Sequence, residues 1–190
     1  MAEPPVAVVG AGLMGSGIAA CFAAAGHEVA VHDPVAESLA AAPGRVASCL
    51  QAMGVGADDG AADGPGTAAN EAALGAADDS EANPALAAAL ARVRYEARPQ
   101  EALAGAGFVF EAAPEDLKLK QEIFARLDAI AAPGCILASN SSAMRPTEIA
   151  ARAEHPGRTV GTHWWNPPHL VPLVEVVRGE RTTAETFERT

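Results

Sequence analysis

The stretch VAVVGAGLMG, residues 6–15, decides how the rest of the chain is read. An apolar run passes straight into Gly10, and glycine recurs at 12 and 15 as an alanine-rich segment begins. The first half reads as a buried strand over 6–10, the second as the start of a helix over 13–25 that Gly26 closes. Gly10 permits the tight turn, Gly12 lets backbone come close to a ligand, and Gly15 lets the helix sit near the sheet. The helix start at Leu13 and Met14 then offers unpaired N–H groups to a pyrophosphate. In a chain with 18 glycines the spacing alone is a weak signal. Its context is what makes it specific: strand before, helix after, and an acid, Asp33, at the tip of the next strand.

Working outward, EVAVHD (28–33) is a second strand, and a helix follows over 35–53. Helix resumes around 84–91 and VRYEA is a weak third strand. FVFEA (108–112) is a strong fourth, followed by a helix over 116–131 with Leu117, Leu119, Ile123, Phe124, Leu127 and Ile130 at helical spacing. CILAS (135–139), RTVGTH (158–163) and LVEVV (173–177) complete the strands. Continuous apolar strands alternating with helices indicate an α/β fold, a Rossmann-type, doubly wound and mostly parallel sheet covered on both faces. Asp33 then selects the dinucleotide. A carboxylate accepts from both ribose hydroxyls of NAD but repels a 2′-phosphate, and no arginine follows in HDPVAES.

Composition narrows the function classes. A net charge of −11 argues against nucleic acid, which needs a positive face. No apolar run reaches bilayer-spanning length and the N-terminus has no basic leader, so the expected location is cytoplasmic, off the membrane. Cys21, Cys49 and Cys135 lie far apart without metal-ligand spacing and read as buried apolar residues of a reducing compartment. No metal is expected. Residues 54–84 carry seven acids and no lysine or arginine, with glycine and proline throughout. Such a segment cannot bury enough surface to offset the cost of ordering it, and it reads as a flexible acidic insertion. Near the end, TTAE (182–185) fits a capping box on Thr182. The helix it starts has barely two turns before Thr190 and little of this chain to pack on. The expected organisation is therefore a nucleotide-binding domain over 1–182, with 183–190 leading into further, helical chain.

The other chemical stretch is THWWNPPHLVPLVEVV, residues 162–177. In extended chain, Glu175 shares a face with Leu173 and Val177, so it must find a partner or take up a proton. Asn166, Pro167 and Pro168 turn the chain so that the strands carrying His163 and Glu175 can lie side by side. A carboxylate on one imidazole nitrogen fixes the tautomer and raises the basicity of the other. An alcohol oxidation needs such a base to take the hydroxyl proton as hydride leaves for nicotinamide. On spacing alone, His163 could equally be structural, and the two tryptophans and Asn166 could serve packing.

GAGLMGSGIA, EAAPEDLKLKQEIF, ASNSS and HWWNPPHLVPLVEVV, in that order, resemble the NAD-binding domain of the L-3-hydroxyacyl-CoA dehydrogenase family. The resemblance implies His163 as general base and Glu175 as its partner. It further implies Ser142 as the serine holding the reacting oxygen and Asn166 as the asparagine at the nicotinamide and substrate end. Glu115 and Lys120 match positions that contact the cofactor. In place of the two phenylalanines usual after the base, this chain has Trp164 and Trp165, and the acidic insertion stands where typical members have a helical stretch that helps hold acyl-CoA. Implied too are a role in fatty acid metabolism, a small-molecule substrate, and a homodimeric longer parent whose second domain supplies one wall of the cleft. The expected reaction is NAD-dependent oxidation of a 3-hydroxyacyl-CoA. The alternatives are a free 3-hydroxy acid such as carnitine or gulonate, or an NAD-binding module that by itself does not turn over.

Overall fold

The computed structural model describes residues 4–56 and 83–190. Most of the acidic stretch 54–84 lies outside the described residues. Its two flanks meet: Asn83 Nδ2 donates to the Gly56 carbonyl at 2.9 Å, and Asn83 Oδ1 caps the helix that follows by accepting from Leu86 N–H.

Among the described residues seven strands form one sheet: β1 (Val6–Val9), β2 (Val29–His32), β3 (Val93–Glu96), β4 (Phe108–Glu111), β5 (Ile136–Ser139), β6 (Thr159–Trp164) and β7 (Val174–Arg178). The helices are α1 (Leu13–Ala24), α2 (Ala36–Ala52), α3 (Pro84–Leu90), α4 (Pro99–Ala102), α5 (Leu117–Ile130), α6 (Pro146–Ile149) and α7 (Ala184–Arg189). Every strand expected from the apolar runs is present. Strand order is β3-β2-β1-β4-β5-β6-β7, parallel throughout except for β7, which returns antiparallel to β6. This is the doubly wound Rossmann-like fold. Chain direction across the sheet reverses between β1 and β4, and ligands of such sheets bind at that switch point, outside the carboxyl ends of the strands.

Strand alternation builds two cores. Val6 and Val8 face a cluster with Ile18, Val31, Leu50 and Phe110, beneath α1, α2 and α3. Ala7 and Val9 face the other side with Val109, Phe124, Leu127, Leu137 and Ile149, beneath α4, α5 and α6. Small residues let α1 lie close. A Cβ on Gly15 would stand 1.7 Å from the Gly10 carbonyl oxygen, so only glycine admits this packing. Along α5 the apolar stripe divides: Phe124 and Leu127 are buried, whereas Leu117 and Leu119 remain over a third exposed.

One cap differs from the sequence reading. Thr183, not Thr182, caps α7, its hydroxyl accepting from Thr186 N–H. Thr182 is unavailable because its buried hydroxyl donates to the Thr159 carbonyl at 2.7 Å and accepts from Gly179 N–H. Nor does α7 lack a surface to pack on. Thr186 is buried and bonds the Gly157 carbonyl, and the Arg189 guanidinium lies 5.9 Å from the Phe108 ring centroid.

Candidate functional site

A cavity of about 1150 Å³ runs along the carboxyl edge of the sheet, at the upper end of small-ligand sites. Gly10, Gly12, Leu13, Met14, Asp33, Glu115, Lys120, Ser142, Asn166 and His163 all line it. Of the residues singled out in the sequence, Gly15 and Glu175 do not: Gly15 supports the turn from behind and Glu175 supports His163. Leu119, Ile123, Leu127 and Ile130 form its apolar wall, which accounts for the exposure of Leu119 on the α5 stripe.

At one end stands the glycine turn. Gly10 has φ +108°, and a Cβ there would come within 2.7 Å of the Ala112 carbonyl oxygen. Gly12 has open space where a Cβ would be, and as N-cap of α1 it supplies no side-chain cap. The first-turn N–H groups of α1 are thus left for a ligand, with positive dipole end and bare backbone together. Asp33 is fixed by two backbone donors, Ala11 N–H to Oδ2 and Val35 N–H to Oδ1, both at 2.8 Å. Each carboxylate oxygen keeps a further lone pair for a ribose hydroxyl. These residues fit a dinucleotide of the NAD type.

Glu115 and Lys120 are less free than the sequence suggests. Glu115 accepts from Ser142 N–H at 3.0 Å and from the Ser141 hydroxyl at 2.8 Å, so it holds the serine loop in place. Lys120 is 1% exposed and ion-paired at 2.6 Å with Glu111, itself fully buried. Glu111 also accepts from Ala113 N–H and from the Ser139 hydroxyl, which satisfies a charge pair that burial alone would penalise heavily. Glu111 and Ser139 were not anticipated. The signal was present, an acid ending the otherwise apolar FVFE of β4. Two other supports also went unread. Asn140 accepts Trp164 N–H through Oδ1, and Arg45 braces the glycine turn by donating to the Ala11 carbonyl at 2.9 Å. Both partners are remote in sequence, so spacing gave no hint of them.

At the other end β6 and β7 pair with His163 opposite Glu175, and His163 Nδ1 lies 2.7 Å from Glu175 Oε2. His163 has its second nitrogen left for the cavity it lines. Glu175 is 52% exposed, not half-sunk among apolar neighbours, because β7 is an edge strand with Leu173 and Val177 also exposed. Its carboxyl is held below the usual range, first by the His163 hydrogen bond, which outweighs the opposing effect of desolvation. Ser142 and Asn166 line the same cavity as exposed residues. The arrangement can orient a hydroxyl and remove its proton.

The remaining reactive groups belong elsewhere. All three cysteines are free thiols, with Cys135 buried but Cys21 and Cys49 half-buried, and burial pushes Cys21 and Cys135 up to about 11. Among the described residues no three His, Cys, Asp or Glu gather as metal ligands, and no helix is long and apolar enough to cross a membrane.

Residues 5–190 match the family described as 3-hydroxyacyl-CoA dehydrogenase, NAD binding domain. The chain is 37% identical over 177 residues to L-carnitine dehydrogenase of Nocardiopsis dassonvillei, covering 93% of this chain and 46% of that protein. Among solved structures it resembles 3-hydroxybutyryl-CoA dehydrogenase from Escherichia coli K12, with TM-score 0.79 and 33% identity over 100% of this chain and 35% of the other. FadB2 of M. tuberculosis gives TM-score 0.80 and 32% identity, covering 100% of this chain and 59% of that one. The chain spans about half the length of the curated relatives it matches.

Proposed function

The chain belongs to the 3-hydroxyacyl-CoA dehydrogenase family as its NAD-binding domain, and on that premise we propose that it serves the NAD-dependent oxidation of a 3-hydroxyl group. Bound NAD would supply the hydride acceptor. The glycine turn and the start of α1 would hold its pyrophosphate, and Asp33 a ribose. The observation that carries the reading is the 2.7 Å His163–Glu175 pair opening onto the same cavity as the uncapped start of α1. In this reading Ser142 donates to the substrate oxygen, Asn166 orients the reacting end, and His163 takes the hydroxyl proton. Glu175 stabilises the imidazolium without taking the proton itself.

The substrate is a 3-hydroxyacyl-CoA in the leading form of the proposal. A free 3-hydroxy acid is the second form, and it has support of its own: several of the curated relatives are named L-carnitine dehydrogenase. NADH formation with 3-hydroxybutyryl-CoA, compared with L-carnitine, separates the two forms. His163→Ala should slow oxidation of the preferred substrate by about 10²–10⁴-fold while NAD affinity stays unchanged. Undiminished turnover, or an equal loss of NAD affinity, would overturn the role given to His163.

A further inference from the structure

His32 closes β2, directly before Asp33, and is only 6% exposed. Strand alternation puts it on the face of Ala30, toward the core beneath α4 and α5. There it lines the same cavity as Asp33. Its Nδ1 lies 2.9 Å from the carbonyl oxygen of Glu96, its partner across β2 and β3. A carbonyl only accepts, so Nδ1 carries the proton and, in the neutral ring, Nε2 is left with a lone pair. Among the described residues Nε2 has no hydrogen-bond partner. Nor is it sealed off: the side-chain atoms buried there without any partner are Thr159 Oγ1, Thr162 Oγ1, Trp164 Nε1 and His169 Nδ1, so Nε2 is reached from the cavity. An acceptor on a cavity wall, fixed in its tautomer and unused by the fold, calls for a donor from a ligand.

The surroundings give that ligand its shape. Ala97 and Pro99, just past β3, and Ile123 of α5 also line the cavity, so apolar walls accompany the acceptor. With the pyrophosphate at the glycine turn and the reacting end at His163, the ribose held by Asp33 is the one that carries the base. We propose that His32 is a base-recognition residue of the nucleotide site, its Nε2 accepting a hydrogen bond from the exocyclic amine of adenine. Adenine has apolar faces for such walls, and that amine is its donor. A hypoxanthine base carries a carbonyl at the same position, so two acceptors face each other. Moving the ring proton to Nε2 relieves this only by leaving the Glu96 carbonyl without its donor. His32 thus adds a preference for adenine to the preference for an unphosphorylated ribose that Asp33 supplies. The proposal rests on the placement of NAD given above, with Asp33 on the ribose, and not on the role of His163.

The test reads binding alone, by calorimetric titration with NAD and with its deaminated analogue, nicotinamide hypoxanthine dinucleotide, in mildly alkaline buffer. The unaltered chain should bind NAD about 5–20-fold more tightly than the analogue. In His32→Leu and His32→Phe, which have no acceptor, NAD affinity should fall and the two affinities should agree within about twofold. Loss of packing weakens both dinucleotides together and leaves their ratio unchanged, so the ratio separates recognition from damage. Circular dichroism checks that each variant folds. Equal affinities in the unaltered chain, or a preference that survives in either variant, overturns the proposal. Asp33→Asn is the control on the premise: it should weaken both dinucleotides alike and keep their ratio. Undiminished binding there would remove the ribose reading, while the ratio in the His32 variants still decides this one.

Discussion

Glu111–Lys120 and His163–Glu175 stand at the same edge of one sheet with nearly equal separations, 2.6 and 2.7 Å. The first pair is sealed, with side chains 0% and 1% exposed; the second is open, at 52% for Glu175 and 26% for His163. In the sealed pair neither partner can change its charge without leaving the other unpaired in a poorly polarisable interior. It therefore fixes geometry: β4, β5 and the start of α5 are tied through Ala113 and Ser139 into one rigid wall. The open pair is in contact with water, as the base of the proposed oxidation would need to be. In the proposed reading, burial separates a structural pair from a chemical one.

Breaking the sealed pair should have the largest effect on the fold. Lys120→Met leaves Glu111 buried and should lower unfolding stability by about 3–5 kcal/mol in a urea titration. Should that variant keep its stability but lose NAD affinity, Lys120 would belong to the open site and the contrast would fail. Opening the other pair should leave the fold almost untouched. Glu175→Gln should barely move the urea midpoint yet slow proton removal by about 10²-fold at unchanged NAD affinity, measured as kcat against NAD titration. The smallest effect concerns pH. The folded Glu175 carboxyl sits below its ordinary value, so its contribution is present above the unfolded value and is lost as pH falls through the folded one. Melting temperatures of the unaltered chain and Glu175→Gln should then converge as pH falls through the lowered value of the folded carboxyl. A gap persisting in stronger acid would mean that Glu175 stabilises the fold by something other than its charge.

Much of this molecule was legible in local pattern. Val6–Val9 and Phe108–Glu111 stand where their apolar runs place them, because strands buried on both faces need continuous hydrophobicity. The glycine turn was legible because Gly10 and Gly15 are dictated by close approach, a constraint that leaves little choice of residue. What escaped is equally particular. TTAE suggested a cap on Thr182, but strand β6 already claims that hydroxyl, and the cap shifts by one residue. Glu115 and Lys120 line the cavity, and their bonds to Ser141, Ser142 and Glu111 depend on elements that meet only in the folded chain.

The sequence by itself determined the order of strands and helices, the anion-binding turn and the acid beside it. Each follows from residues adjacent in the chain, where backbone sterics and hydrophobic period act directly. Tertiary structure alone decided that Glu111 meets Lys120, which tryptophan packs against the core, and how wet each pair is. Those outcomes depend on which elements meet across the sheet and on the depth of each strand within it, and neither is written in any single stretch.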